Sequence, residues 1–130
     1  MDEKLKSNLD KWQYKAENDI KTAQQLLESD EPVTDSVCFH AQQAVEKFLK
    51  MYLVYEGIEP VKTHIISELL VLCIKKSDDF SSLNDVNYLT EYAVSMRYPD
   101  DFYIPIVEEA EQALEDAIKV RDFVLNKINF

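Results

Sequence analysis

A chain of 130 residues with one glycine and four prolines has little with which to turn. Sheet proteins reverse direction often and draw on those residue types to do it. Their scarcity leaves a few long helices joined by few connections. The length suits a single domain over residues 1–130. A domain of that size buries roughly two-thirds of its unfolded surface, so neither a disulfide nor a structural metal is needed. Hydrophobic residues make up 46% of the chain, which suits a packed core and excludes disorder as the default.

Apolar spacing predicts four to five helices in an all-α, up-and-down bundle. The first runs from about residue 7 to 29, with Trp12, Ala16, Ile20, Ala23 and Leu27 on one face. The second spans about 34–56, through Val37, Ala41, Ala44, Val45, Phe48, Met51, Tyr52 and Tyr55. Thr34 or Asp35 is placed to cap its start. Gly57 stands where a left-handed C-cap residue belongs, and Pro60 blocks continuation. The third covers about 64–76 after an N-cap at Thr63, with Ile65, Ile66, Leu69, Leu70, Leu72 and Cys73 apolar. Lys75 and Lys76 occupy its last turn, where the helix dipole favours cations. A polar connection, SDDFSS, follows. The fourth helix covers about 82–97, with Leu83, Val86, Leu89, Ala93 and Met96 inward, and stops before Pro99. Pro105 fits the first turn of a fifth helix that reaches about residue 128 through Val107, Ala110, Leu114, Ala117, Val124 and Ile128. Short loops between long helices imply antiparallel packing.

Charge and apolar runs narrow the partners. Net charge is −11. Residues 1–76 carry 13 acids and 10 bases, and residues 77–130 carry 12 acids and 4 bases. A protein that coats duplex DNA needs a basic face, and this balance argues against one. A small local site for a phosphate, a nucleotide or one RNA strand stays open, as does a basic partner protein. No apolar run approaches the ~20 residues of a membrane span. The charged N-terminus, MDEKLKSNLDKWQYK, is not a signal peptide. Cys38 and Cys73 lie in apolar helical patterns without a CxxC pair, which implies reduced core thiols and a cytoplasmic protein.

Three stretches together resemble the HEPN family (higher eukaryotes and prokaryotes nucleotide-binding). They are AENDIKTAQQLL in the first helix, CFHAQQAVEKFLKMYLVYEG (residues 38–57) with KTHIISELL (62–70), and RYPDDFY (97–103). The resemblance runs roughly from residue 12 to 127. It implies an up-and-down bundle, commonly a homodimer, often accompanying a minimal nucleotidyltransferase in a two-protein toxin–antitoxin or nucleotide-handling pair. Many members are metal-independent ribonucleases. They use an arginine followed four to six residues later by a histidine, and two copies meet across the dimer interface. In some members a tyrosine near this motif is modified by the partner nucleotidyltransferase. This chain departs from the nuclease pattern. Arg97 is present, but Tyr103 stands about where the histidine would be, and both histidines lie earlier, at 40 and 64.

Metal-free RNA cleavage needs a base for the 2′-hydroxyl, an acid for the leaving oxygen, and a cation for the phosphorane. Histidine, with a pKa of about 6.5, suits the first two. Tyrosine, at about 10, is a poor base at neutral pH and a fair proton donor. Arginine suits the third through its fork of donors. Arg97 and Tyr103 are therefore the candidate catalytic residues. Arg97, Tyr98, Asp100, His40 and His64 are the candidate ligand-binding residues. Each has a structural reading beside the functional one. Arg97 pairs equally well with Asp100 or Asp101 near a helix end. Tyr98 and Tyr103 either stack on a base or pack as a loop. His40 either reaches a ligand or bonds within its helix. His64 either joins free amides around an anion or fixes the helix start. The acids Glu108, Glu109, Glu111, Glu115 and Asp116 spread over one helix as a solvated face. Neither Glu-x-x-His nor a glycine-rich phosphate loop occurs, so no metal site and no cofactor are expected.

Three functions follow. The first is a dimeric module that binds nucleotide, single-stranded RNA or a nucleotidyltransferase partner without strong catalysis. The second is an endoribonuclease in which Tyr103 or His40 moves the proton. The third is a structural interaction module. The dimer expectation also rests on aromatics such as Phe39, Tyr52 and Tyr92, a surplus for one bundle.

Overall fold

The computed structural model describes residues 1–59, 61–95 and 102–128. Five α-helices and one 3₁₀ helix make up its ordered elements: α1 (Glu3–Glu28), α2 (Thr34–Tyr55), α3 (Ile66–Lys76), the 3₁₀ helix (Asp78–Leu89), α4 (Thr90–Ser95) and α5 (Val107–Ile128). No strand occurs among the described residues.

The helix ends follow local chemistry. α1 starts four residues earlier than its apolar spacing suggests, because Asp2 caps it, its carboxylate accepting from the Leu5 amide at 2.7 Å. α2 ends as expected at Gly57, whose φ is +82°. The Gly57 amide donates to the Val54 carbonyl and the Ile58 amide to the Leu53 carbonyl, a Schellman closure. Thr34 is helical and does not cap α2. Its hydroxyl donates instead to the Pro105 carbonyl at 2.7 Å, tying the approach to α5 onto the start of α2. Pro105 is buried and lies two residues before α5, whose first backbone bond runs from the Ala110 amide to the Ile106 carbonyl. Thr63 acts just before α3 and not as its N-cap. Its hydroxyl accepts from the Ile65 amide and donates to Glu68.

The largest departure from the sequence reading is the segment after α3. SDDFSS is no polar connection, since its last five residues open the 3₁₀ helix, and residues 82–89, expected to be α-helical, continue it. Phe80, Leu83, Val86 and Leu89 recur every third residue and all are fully buried. That spacing matches three residues per turn, which keeps one face inward in a 3₁₀ helix. Phe80 anchors it, with ring centroids 4.4 Å from Tyr52 and 4.9 Å from Phe123.

α2 is the axis of the molecule. α1 packs antiparallel to it, with Asp19 meeting Lys47 and Leu5 near Val54. The 3₁₀ helix and α4 run back along it, from Phe80 beside Tyr52 to Tyr92 near Cys38. α5 then descends beside α2, which completes the up-and-down bundle. Being covered on most sides, α2 buries Leu49, Leu53 and Val54 besides its predicted stripe. Ala16, Ala23, Ala41, Ala44, Ala110, Ala113 and Ala117 are buried and let the helix backbones approach closely. Ile65 and Val107, expected inside, are 43% and 40% exposed, each beside a helix start. Met96 lies outside the described residues.

Candidate functional site

Tyrosines converge on carboxylates beside the start of α5. Tyr92 on α4 donates its hydroxyl to one oxygen of Glu109, and Tyr103 donates to the other. Tyr88, one turn before Tyr92, donates to Asp116. Cys38, on the first turns of α2, is buried next to Tyr92 and Glu109. Tyr92 is buried, whereas Tyr103 is 53% exposed. The bond to Glu109 raises the Tyr103 phenol above its ordinary range, because losing the proton would set two anions together. Burial raises Tyr92 first of all, and the Glu109 carboxylate adds to it. At neutral pH both phenols are proton donors held in place, and neither is a base. Phe102, Ile104 and Ile106 flank Tyr103 and are among the most exposed apolar residues of the chain.

A second polar system lies along α2. Asp19 on α1 is buried, its two oxygens 2.9 Å from His40 Nδ1 and 2.6 Å from Lys47 Nζ. On another side of α2, buried Glu46 is bound by Lys50 Nζ at 2.9 Å and lies 2.7 Å from His64 Nδ1. Gln42 donates to Glu46 at 3.0 Å. Burial would push the Glu46 carboxyl up, but the hydrogen bonds from Lys50, His64 and Gln42 hold it below its ordinary value. The residues of FHAQQAVEKFLK and KTH thus meet. They lock α1 and the segment before α3 onto α2.

The candidates named from sequence fall into separate places. Tyr103 is in the tyrosine–carboxylate cluster. His40 pairs with Asp19 and His64 with Glu46, so neither shares a hydrogen-bond partner with Tyr103. Arg97, Tyr98 and Asp100 lie outside the described residues. Glu109 and Tyr92 were missed. Glu109 reads as one more acid on a solvated face, and its partners lie 6 and 17 residues away, beyond any helical spacing. Tyr52 and Tyr92, counted as surplus aromatics, are buried in the bundle, at 3% and 7% exposure. No group of three or more His, Cys, Asp or Glu side chains is placed to hold a metal ion among the described residues. No helix among them is long and apolar enough to cross a membrane.

The fold has counterparts among known proteins. A profile of the HEPN domain matches residues 9–128. The chain belongs to the HEPN family. A Methanocaldococcus jannaschii protein designated a putative toxin is 30% identical to this HEPN chain, over 87% of it and 86% of its own length. The crystal structure of an archaeal HEPN homologue matches with a TM-score of 0.74 at 25% identity, covering 92% of this chain and 97% of that one.

Proposed function

We propose that this HEPN protein is a dimeric binding module for a nucleotide, single-stranded RNA or a nucleotidyltransferase partner, without strong catalysis of its own. The observation that carries this reading is the state of Tyr103, whose hydroxyl donates to Glu109 and whose pKa is raised by it. In the family's ribonucleases the histidine at this place exchanges a proton near neutrality. A phenol held protonated by a carboxylate does not activate a 2′-hydroxyl. Both histidines are engaged elsewhere, by Asp19 and Glu46. What remains at Arg97–Tyr103 suits recognition. An arginine forks onto a phosphate, and exposed aromatics stack on a base.

The test is fluorescence anisotropy of a labelled single-stranded RNA with the purified protein and with Arg97→Ala. A charge-assisted contact contributes roughly 1.5–3 kcal/mol, so the variant binds about tenfold more weakly or worse. Equal binding by both proteins removes Arg97 from the site and supports a structural module instead.

The designation of the archaeal relative favours one other reading, a metal-independent endoribonuclease. There Arg97 would stabilise the phosphorane charge, the 2′-hydroxyl proton would pass to His40, and Tyr103 would give its proton to the leaving oxygen.

A further inference from the structure

The first helix carries an anomaly of charge. Residues 4–15 hold four lysines against one aspartate, in a chain whose net charge is −11. Asn8, Lys11, Trp12 and Lys15 follow the i, i+3, i+4, i+7 spacing and share one stripe of α1. With Lys47 of α2 they line a hollow of about 220 Å³. On the neighbouring face Lys11 and Lys15 also border a second open hollow of about 360 Å³, lined besides by Ser7, Asp10, which Lys6 pairs, and Tyr14, which is 66% exposed. The lysine pair therefore stands between two aromatic rings, half-buried Trp12 on one side and Tyr14 on the other.

Folding does not explain this arrangement. Two lysines one turn apart repel and cost a helix about 0.2–0.5 kcal/mol. Neither Lys11 nor Lys15 makes an ion pair among the described residues, although acids outnumber bases 25 to 14 in the chain. The nearby carboxylates are already taken: Asp10 by Lys6, and Asp19 by Lys47 and His40. Tyr14 stays largely exposed among the described residues.

We infer that Lys11, Lys15, Trp12 and Tyr14 form a second site, one that takes short single-stranded nucleic acid. Cations beside planar rings match a ligand that alternates phosphate with a flat base. Lys11 and Lys15 face the phosphates, while Lys47, held by Asp19, closes one side of the hollow. Trp12 and Tyr14 offer the stacking faces. An acidic peptide would use the lysines and leave the rings idle. The choice of RNA as ligand rests on the reading proposed above, but the location does not. Thr34 holds Pro105 at the first residue of α2, and Lys47 lies thirteen residues further along. At 1.5 Å per residue the two sites are ~20 Å apart.

Trp12 is the only tryptophan in the chain, so it reports on its own site. The experiment titrates a uridine tetranucleotide into the full chain at low salt and follows tryptophan fluorescence. The expected result is saturable quenching that weakens with salt, about tenfold weaker binding in Lys11→Gln/Lys15→Gln, and unchanged quenching in Arg97→Ala. Both lysines are exposed, so the double variant keeps its fold, which circular dichroism checks. Quenching unaffected by the lysine changes overturns the site, as does RNA binding that Arg97→Ala abolishes without any tryptophan signal. Quenching by phosphatidylserine vesicles and not by the tetranucleotide overturns it in favour of a membrane surface. RNA binding that Arg97→Ala leaves unchanged, with the quenching intact, overturns only the function proposed above.

Discussion

Cys38 and Cys73 show how burial alone silences a reactive group. Both are fully buried and unpaired, and burial pushes each thiol up to about 12. The Glu109 carboxylate adds to the effect at Cys38, while a bond with Tyr92 opposes it. Only the thiolate reacts, so a maleimide added at pH 7 labels neither residue in the native protein, and both in denaturant. Fast native labelling would mean that the start of α2 opens at Cys38, or that α3 opens at Cys73. These thiols were legible in the sequence because they sit inside apolar helical patterns. Glu109 was not, because an acid in the first turn of a helix is explained by the dipole alone. Its roles toward Tyr92 and Tyr103 come from tertiary placement.

Single elements divide by how far their signals reach along the chain. α1, α2 and α5 were legible because they are long and strongly periodic, and the closure at Gly57 is a purely local device. The 3₁₀ helix was not, because Leu83, Val86 and Leu89 fit the first turns of an α-helix as well as a threefold repeat. Phe80, which extends that repeat, sits among polar neighbours. Phe80→Ala removes a fully buried ring from between Tyr52 and Phe123 and costs about 3–5 kcal/mol in urea unfolding. A loss under ~1 kcal/mol would mean that the segment is peripheral. The ladder on α2 predicts an acid limb. The Glu46 carboxyl is held below its ordinary 4.5, so its contribution is complete above that pH and disappears as pH falls through the lowered folded value. Glu46→Gln strands the buried Lys50 ammonium and costs roughly 3–5 kcal/mol at pH 7. Urea unfolding at pH 7 and below pH ~4 therefore shows the gap between wild type and variant narrowing in acid. A gap equal at both pH values contradicts this account of Glu46.

Across the whole molecule, charge and exposed apolar surface set the terms of association. The acidic balance disfavours duplex DNA and confines any nucleic-acid contact to local cations. Exposed Phe102, Ile104 and Ile106 beside Tyr103 give the chain an apolar strip, whereas of the surplus aromatics Phe39, Tyr52 and Tyr92 the first is half-buried and the other two are buried. With a dimer proposed, light scattering at micromolar concentration returns about twice the chain mass. A 15.2 kDa particle removes the dimer from the account. The central claim concerns Tyr103, a proton donor held by Glu109 at about the place where the resemblance to HEPN ribonucleases would set a histidine. Its most direct test is incubation of labelled single-stranded RNA with the purified protein in EDTA, beside Arg97→Ala. Intact RNA with both proteins is the predicted result. Cleavage by the wild type that is lost in Arg97→Ala would contradict it and make the protein a metal-free ribonuclease.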